Sequence, residues 1–343
     1  MVINTHIMTG GGGITITSLT VSTMPTITEY LIGDEIDYTG LECEIVYSNG
    51  TVSYVDKTDL TFNIPEGTVL TQEQTYTIVA SFGTASTTFN VIAKSLTIVT
   101  WANGTDAEIM AMIDADRAGK IDLHDYWAVG DERVISLSAM SATYVGESHA
   151  AQNVTMVLVD ATCTGFTYTT ATKSGRTKPR FIVQQKDCLN ELGYMNASYT
   201  STNGWSGSQR RTWCNATYKN AFPATIQNAF KQFTWKTGRG GTYSSGVLTT
   251  DDYFGLAPEK AVFGSRSYSF NDEAALYSQW TYYITYANII KKVNGSDYTW
   301  WLASPVYYNY GESAGFFVCA NLYGGGSYNG APNDYGIAPF GCI

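Results

Sequence analysis

The chain has 343 residues, of which 44% are hydrophobic and 15% charged. It is therefore long enough for two domains and too apolar for a disordered chain. The formal net charge of -10 excludes nucleic acid as the expected partner, because a negative protein repels phosphates on average. No stretch approaches the roughly 20 apolar residues of a spanning helix, so membrane insertion is not expected either.

Residues 1–13 lack the basic start and the apolar stretch of a secretory signal, so no signal peptide is visible. They end in the run Gly10-Gly11-Gly12-Gly13, and glycine-rich segments behave as flexible chains. We therefore expect residues 1–13 to form a flexible lead-in.

Residues 14–95 contain short runs of β-prone residues separated by turns, without a convincing helix. Asn-Gly tolerates the positive φ angles of a type I′ turn and is a strong hairpin signal. Two hairpins are predicted, over residues 44–55 around Asn49-Gly50 and over residues 76–92 around Gly83. About seven such strands predict an all-β Ig-like sandwich for residues 14–95.

One segment of this first domain resembles a known family. The run from Thr28 to Leu41, followed by Tyr47-Ser48-Asn49-Gly50-Thr51, resembles the bacterial Ig-like modules of surface and phage tail proteins. The resemblance covers about 80 residues, close to the usual size of such a sandwich. It implies a spacer or a weak adhesive unit.

The pattern changes after Trp101. Thr105 and Glu108 form a capping box, which predicts a helix that ends near Gly119. Strands are predicted at residues 133–137 and 154–159. A second helix is predicted from Pro223 to Lys236, with Ile226, Phe230 and Phe233 on one face, and residues 277–292 fit either a helix or a strand.

The spacing of Asp114, Asp116, Gly119 and Asp125 imitates a calcium-binding EF-hand loop. The fifth loop position is Ala118, and the last is an aspartate where the motif has a longer bidentate glutamate. We therefore interpret this segment as the end of a helix with a solvated acidic face, and we predict no metal site.

The six cysteines (Cys43, Cys163, Cys188, Cys214, Cys319 and Cys342) contain no CxxC pair, so no zinc or thioredoxin-type motif is predicted. We interpret them as buried free thiols and expect no cofactor. If the chain acts outside a cell, Cys319 and Cys342 are the pair to test as a disulfide.

The second domain offers few residues for catalysis. His124 and His149 are its only histidines, and neither stands in a nucleophile elbow or a cysteine-protease motif. Arg210 and Arg211 could bind a carboxylate, although arginines beside tryptophans more often anchor the structure. We therefore expect a protein that is not an enzyme.

More than half of residues 306–335 are Gly, Tyr or Asn, and no Lys or Arg follows Lys292. Apolar runs flank this segment at residues 300–302 and 337–340 and interrupt it at residues 316–318. We expect the apolar runs to be core strands and the intervening residues to be exposed loops. Exposed Tyr with Asn, Ser and Gly is typical of recognition surfaces, although such loops also cap β-rich folds.

Five motifs span most of the second domain: Trp101–Thr105, Gly119–Asp131, Gly204-Trp205 with Arg210–Cys214, Trp300–Pro305 and Gly336–Ile343. Through these motifs, residues 96–343 resemble a domain family of bacteria and their phages without assigned function, grouped with the C-type-lectin-like and formylglycine-generating-enzyme-like folds. The resemblance implies an α+β C-type-lectin-like fold for the second domain. At Ala303 and Ile289 the relatives commonly carry Arg, so no family-wide anion contact is expected there.

The terminal loops also resemble the variable proteins of diversity-generating retroelements, in which mutagenesis of Asn-type codons scatters Asn, Tyr, Ser and Gly over the ligand face. By position, the resemblance implies contacts at Tyr307, Tyr308, Asn309, Tyr310, Ser313, Asn321, Tyr323, Ser327, Tyr328, Asn329, Asn333 and Tyr335.

Three functions follow as hypotheses. The first is a ligand- or receptor-binding, adhesin-like protein on a phage tail (virion) or bacterial surface, whose partner is a protein or glycan on a bacterial cell surface. The second is an enzyme similar to the formylglycine-generating group, for which Cys319 and Cys342 are the candidate thiols. The third is a structural decoration protein without a specific ligand.

Overall fold

The structure, a computed structural model, describes residues 13–145, 147–307 and 313–343, with only the backbone at Ser313. The chain divides into two compact units, Met1–Leu96 and Thr97–Ile343. Strand residues make up 34% of the chain and helical residues 18%, so the fold is β-rich.

Seven strands form two sheets in the first unit, ordered β1-β3-β4 and β2-β7-β6-β5. All neighbouring strands are antiparallel except β2 and β7, which run parallel. Buried side chains from both sheets, such as Ile45 and Ile78, share one hydrophobic core. The strands are β1 (Ile16–Thr23), β2 (Glu29–Leu31), β3 (Glu42–Tyr47), β4 (Val52–Asp56), β5 (Thr61–Phe62), β6 (Gln74–Phe82) and β7 (Ala85–Lys94).

Both predicted hairpins of the first unit are present, between β3 and β4 and between β6 and β7. The first turn differs in kind from the predicted one. Within this loop Gly50 has a φ of +79° but Asn49 does not have a positive φ, whereas a type I′ turn needs two such residues. The Gly50 amide donates to the Tyr47 carbonyl at 2.8 Å, so glycine alone provides the left-handed position.

The second unit contains thirteen strands and six α-helices among the described residues, and a π-helical turn, Cys214–Tyr218, joins the second of these helices to the third. The strands are β8 (Glu132–Leu137), β9 (Gln152–Asp160), β10 (Thr167–Tyr168), β11 (Ile182–Gln185), β12 (Phe233–Gly238), β13 (Val247–Asp252), β14 (Phe254–Gly255), β15 (Lys291–Val293), β16 (Ser296–Tyr298), β17 (Trp300–Pro305), β18 (Phe316–Ala320), β19 (Gly326–Gly330) and β20 (Phe340–Cys342). The helices are α1 (Asp106–Arg117), α2 (Gln209–Trp213), α3 (Lys219–Ala221), α4 (Ala224–Gln227), α5 (Glu259–Phe263) and α6 (Asn271–Ala274).

The helix predicted from the capping box is confirmed as α1. The Glu108 amide donates to the Thr105 hydroxyl, and the Glu108 carboxylate accepts from the Thr105 amide at 2.8 Å. The helix ends at Arg117, and Gly119 follows with a φ of +79°, as a left-handed C-terminal position requires. The predicted strands at residues 133–137 and 154–159 are confirmed as parts of β8 and β9.

The helix predicted from Pro223 to Lys236 is wrong. Only α4 is helical, and the chain extends as β12 from Phe233, paired with β10 and β13. Trp235 and Thr237 are buried with Phe233, whereas Lys236 is exposed, so the two-residue period of a strand describes this stretch. Residues 277–292 form two 3₁₀ turns, Thr281–Ile284 and Tyr286–Ile289, before β15.

The sheets of the second unit join segments that are distant in the sequence. The largest has the order β14-β20-β11-β9-β8 and is antiparallel throughout. Two further sheets have the orders β10-β12-β13 and β17-β18-β19, and β15 pairs with β16. Of the glycine- and tyrosine-rich segment 306–335, β18 and β19 belong to the sheet β17-β18-β19.

All six thiols are free and buried. Cys319 lies in β18 and Cys342 in β20, which belong to different sheets, so the disulfide considered from the sequence is not formed. In the parts of the chain that the structure describes, no helix combines the length and the apolar character needed to cross a bilayer.

Candidate ligand-binding face

Buried tryptophans anchor the sheet β17-β18-β19 in the second unit. The indole N–H of Trp300 donates to the Ile289 carbonyl, and that of Trp301 donates to the Gly193 carbonyl, both at 2.9 Å. On β18 and β19, Phe316 pairs with Gly330 and Val318 pairs with Tyr328. Directly opposed residues of antiparallel strands project to the same face, so Phe316 and Tyr328 emerge together.

Four aromatic side chains form a continuous row on this face, which we call the aromatic row. Its members are Tyr199, Phe316, Tyr328 and Tyr268. The ring centroids are 5.1 Å apart for Tyr199 and Phe316, 5.4 Å for Phe316 and Tyr328, and 5.0 Å for Tyr328 and Tyr268. Tyr199 is 57% exposed and Tyr328 39% exposed, so the row presents aromatic surface to solvent.

Two glycines make room for the first ring of the row. A β-carbon on Gly330 would come within 2.6 Å of Cε2 of Tyr199, and one on Gly315 would come closer still to the same ring. Real β-carbons do not approach other atoms so closely, so the ring can lie here only because both positions are glycine. The terminal glycines therefore determine where an aromatic side chain lies.

A second exposed aromatic pair lies at the turn between β18 and β19. Tyr323 is 75% exposed, and its carbonyl accepts a hydrogen bond of 2.6 Å from the hydroxyl of Tyr286, which is also exposed. The Asn321 side chain accepts from the amides of Tyr323 and Gly325 at 2.9 and 3.0 Å. Asn321 therefore shapes the turn and is not free to contact a ligand through that oxygen.

Asn329 and Tyr335 likewise serve the fold. The Asn329 amide nitrogen donates to the Tyr335 hydroxyl, and its oxygen accepts from Asn333 and from the Gly330 amide. The Tyr335 ring packs against Trp301 with centroids 4.9 Å apart, and burial raises the pKa of Tyr335. Asn333 is the exposed member of this group.

Two arginines border the face. The Arg266 guanidinium lies 5.6 Å from the ring centroid of the half-buried Tyr307, whose amide donates to the Tyr268 carbonyl at 2.8 Å. The Arg239 guanidinium lies 3.9 Å from the ring centroid of the exposed Tyr243. Both contacts have the geometry of cation–π interactions.

A pair of buried carboxylates supports the loops beneath the row. Glu259 accepts hydrogen bonds from the backbone amides of residues 267–269 at 2.8 to 3.2 Å, and so fixes Tyr268. Glu273 accepts from the Gly238 amide at 2.6 Å and from the Ser304 hydroxyl. Burial raises the pKa of Glu273 to about 7, which keeps this carboxyl largely protonated in acidic solution.

The residues predicted from the sequence have different structural roles. Tyr307, Tyr323 and Tyr328 have partly or largely exposed rings, and Ser327 is half-buried near Cys319. Tyr308, Asn309 and Tyr310 lie outside the described residues, as does the side chain of Ser313. The remaining four are Asn321, Asn329, Asn333 and Tyr335. All four make hydrogen bonds within the fold, and Asn333 is the exposed one.

The composition of the terminal segment does not point to Tyr199, Tyr268 or Tyr286, because they precede it by many residues. A signal was present for Tyr199, which stands in the run Asn196-Ala197-Ser198-Tyr199-Thr200-Ser201. This run has the same small polar composition around an aromatic residue as the terminal loops.

The two adjacent arginines are structural anchors. Arg210 is fully buried, pairs with Glu147 and stacks over Trp213 at 4.9 Å. Arg211 donates to Asp252 at 2.7 Å. Asp252 is itself buried and accepts from the indole N–H groups of Trp205 and Trp235 at 2.9 and 2.7 Å.

The histidines are held by structural partners. His149 is buried, with Nδ1 3.1 Å from Glu191 and its ring 5.1 Å from that of Trp213. His124 lies 3.0 Å from the Arg180 carbonyl through Nε2. Neither contact includes a serine or cysteine that the imidazole could activate.

The segment that imitates an EF-hand uses its carboxylates in ion pairs. Asp116 is buried between Arg176 and Arg180, with 2.9 Å to Nε of Arg180. Asp122 pairs with Nη1 of Arg180 at 3.0 Å. Among the described residues, no group of three or more His, Cys, Asp or Glu side chains is arranged to hold a metal ion.

Burial makes the candidate thiols unreactive. It raises the pKa of Cys319 to about 12 and raises the pKa of Cys342 well above its ordinary value. The thiolate is the nucleophilic form of cysteine, so neither residue supplies it near neutral pH. Burial likewise raises the pKa of Cys188 to about 12.

A family model matches part of the second unit. Residues 180–343 match the family described as a domain of unknown function, DUF6273. No curated protein matches the chain. The matched region spans β11 to β20 and contains the whole aromatic row, so the chain is similar to this family across its candidate ligand-binding face.

Proposed function

We propose that the chain is a non-catalytic binding protein that recognises a protein or glycan on a bacterial cell surface. In this proposal the first unit is an Ig-like spacer and the second is a C-type-lectin-like domain, carried on a phage tail or a bacterial surface. The observation that carries the proposal is the aromatic row, in which the loop residues Tyr199 and Tyr268 pack against Phe316 and Tyr328 of the sheet. Rigid, exposed aromatic side chains are frequent among the residues that dominate binding energy.

The architecture of each unit supports the fold assignments. Two sheets that share one core are the general plan of an Ig-like sandwich, and β1 to β7 follow it. The second unit combines short helices with small antiparallel sheets and places its glycine-rich loops beside β18 and β19.

The sharpest test is a double substitution, Tyr199→Ala with Tyr328→Ala. A matched control is Tyr54→Ala with Tyr126→Ala, because these tyrosines are 57% and 39% exposed, as Tyr199 and Tyr328 are. Binding of the labelled full chain to a panel of bacterial strains would be measured by flow cytometry. We expect the first variant to lose binding by about tenfold or more and the control to bind as the wild type does.

Equal binding by both variants, at unchanged melting temperatures, would contradict the proposal. A large fall in melting temperature for the first variant alone would instead assign the row to stability. Tyr323→Ala, on a turn held by Asn321 and far more exposed, then tests recognition without disturbing the sheet.

The terminal loops are also proposed to be the diversified segment of a diversity-generating retroelement protein. Sequencing the gene with its downstream flank, and the genes of sibling proteins, tests this. Siblings that differ chiefly at the terminal Tyr, Asn and Ser positions, with a template repeat in the flank, would support it. Siblings with invariant terminal loops would favour a structural decoration protein.

The enzyme alternative depends on a reactive thiol. Titration of the native chain with a thiol reagent is expected to give no fast-reacting cysteine, because all six are buried. A single fast-reacting thiol that is absent from Cys319→Ser or Cys342→Ser would overturn this expectation. It would support an activity similar to that of the formylglycine-generating group.

A further inference from the structure

The outer face of the sheet β10-β12-β13 is lined by threonines. Thr167 pairs with Thr234, and the Thr169 amide donates to the Gln232 carbonyl at 3.1 Å. Side chains alternate along a strand, so these residues and Lys236 share the outer face, while Tyr168, Phe233 and Trp235 are buried behind it. We call this surface the threonine groove.

Open pockets lie at both ends of the threonine groove. One has a volume of about 560 Å³ and the other about 320 Å³, and each is within or near the size range of small-molecule sites. The larger is lined by Cys163, Thr164, Gly165, Phe166, Thr167 and Leu276 together with Thr177, Lys178 and residues 234–236. The smaller is lined by Arg117, Thr169, Thr170, Asn228, Tyr253 and residues 230–232.

The groove is positively charged although the whole chain has a formal charge of -10. Lys178 and Lys236 line one pocket, and Arg117 and Lys231 line the other. Among the described residues that line these pockets there is no aspartate or glutamate.

Four carboxylates lie close to the lining. Two of them are buried: Asp160 accepts from the Cys163 amide and Asp252 from the Trp235 indole, both at 2.7 Å. Asp251 accepts a hydrogen bond of 2.6 Å from the Thr234 hydroxyl, and Asp114 lies 3.6 Å from Nη1 of Arg117. Asp114 is largely exposed, so its charge is screened by solvent. Asp252 pairs with Arg211, which is not part of the lining. The four cations Arg117, Lys178, Lys231 and Lys236 therefore face three carboxylates, and positive charge remains in excess.

The cations of the smaller pocket are held in place. The two terminal nitrogens of Arg117 donate to the carbonyls of Asn228 and Ala229 at 3.0 and 2.7 Å. Nζ of Lys231 lies 5.5 Å from the ring centroid of Tyr168. Burial and the positive charge of Arg117 lower the pKa of Lys231. An anion bound here would offset the repulsion between these two cations.

We propose that the threonine groove binds a linear acidic polysaccharide. Threonine hydroxyls with the amides of Gln232 and Asn228 suit the hydroxyl groups of a sugar chain, and the cations at both ends suit its carboxylates or sulfates. Single-stranded nucleic acid fits less well, because base stacking needs exposed aromatic rings. Phe166, Trp235 and Phe230 are buried, and Nζ of Lys219 lies over the ring of the half-buried Tyr253, 3.5 Å from its centroid. This site is separate from the aromatic row and does not depend on it.

Isothermal titration of the full chain with polygalacturonate, dextran sulfate and neutral dextran tests the proposal. The groove variant is Lys178→Gln with Lys236→Gln, and Lys231→Gln probes the smaller pocket. The matched control is Lys94→Gln with Lys260→Gln, which removes the same charge outside the groove. Comparing carboxylated with sulfated polymer tells which anion the groove prefers.

We expect both acidic polymers, or one of them, to bind with salt-sensitive affinity and neutral dextran not to bind. The groove variant should bind about tenfold more weakly and the control within about twofold of the wild type. Equal loss in the groove variant and the control would overturn the proposal, as would absence of binding by both acidic polymers. Stronger binding of a thymidine oligonucleotide than of either polymer would assign the groove to nucleic acid instead. The Tyr199→Ala, Tyr328→Ala variant should bind the polymers normally even if it has lost cell binding.

Discussion

Tyr199 and Gly330 are in direct contact although 130 residues separate them in the sequence. The ring of Tyr199 occupies the space where the side chain of any other residue at position 330 would begin. A glycine in the terminal segment thus positions an aromatic side chain from the middle of the chain, and the candidate ligand-binding face depends on both.

Gly330→Ala should displace the Tyr199 ring. The new β-carbon would stand 2.6 Å from Cε2, and the ring, which is 57% exposed, can move away at a cost of about 1 kcal/mol or less. We expect the nuclear Overhauser contacts between Tyr199 and Phe316 to disappear and cell binding to fall. Gly326→Ala is the control on the same strand, because its β-carbon would meet Phe263 and Tyr268 at an ordinary 3.6 Å. Equal effects of the two substitutions would contradict the expectation.

Glu273 should make stability depend on pH. Burial raises the pKa of its carboxyl from 4.5 to about 7, so the folded chain holds this proton more tightly than the unfolded chain. The free energy of unfolding that this proton contributes is fully present below pH 4.5. It falls by about 3 kcal/mol as the pH rises to about 7. Urea unfolding across this range should show the fall in the wild type and a flatter profile in Glu273→Gln. The exposed neighbour Asp272→Asn should follow the wild type, and a Glu273→Gln profile parallel to the wild type would refute the assignment.

Lys291 should make the free energy of unfolding rise with pH in a more alkaline range. It is buried, donates to the carbonyls of Gln185 and Lys186 at 2.8 and 2.7 Å, and burial lowers its pKa from 10.5 to about 8. The folded pKa lies below the unfolded value, so stability is lost as the pH falls from 10.5 to about 8. We expect the free energy of unfolding of the wild type, relative to Lys291→Met, to rise by about 3 kcal/mol across this window. A constant difference between the two proteins would show that Lys291 keeps its ordinary pKa.

Asp252→Asn should be among the most destabilising single changes in the second unit. The carboxylate accepts hydrogen bonds from two indole N–H groups and from Arg211. In the asparagine variant an amide nitrogen, itself a donor, would face one of these donors. Arg211 would also lose its charged partner. Breaking a buried pair in this way costs about 3 to 5 kcal/mol. Chemical denaturation measures the loss. Asp251→Asn, on the exposed face of the same strand, should change stability by about 0.5 kcal/mol or less, and similar losses in both variants would show that Asp252 has no special role.

The candidate site was only partly predictable from the sequence. Composition indicates that the terminal segment holds exposed tyrosines, and Tyr323 and Tyr328 have such exposure in the structure. Composition does not distinguish them from Tyr335, which packs on Trp301, nor does it reveal Tyr199 as a neighbour. Exposure is decided by which residues meet across strands, and a list of residue types does not contain that information.

Some elements were predictable from the sequence alone, because local interactions determine them. The capping box of Thr105 and Glu108 fixes the start of α1, and the glycines at positions 50 and 83 mark the turns of two hairpins, because each signal acts within a few residues. Tertiary structure decided the rest. Phe230 and Phe233 suit a helix as well as a strand, and pairing with β10 and β13 selected the strand. Likewise the burial of Glu273, Lys291 and Asp252, and hence their chemistry, comes from packing between distant segments, which no local pattern encodes.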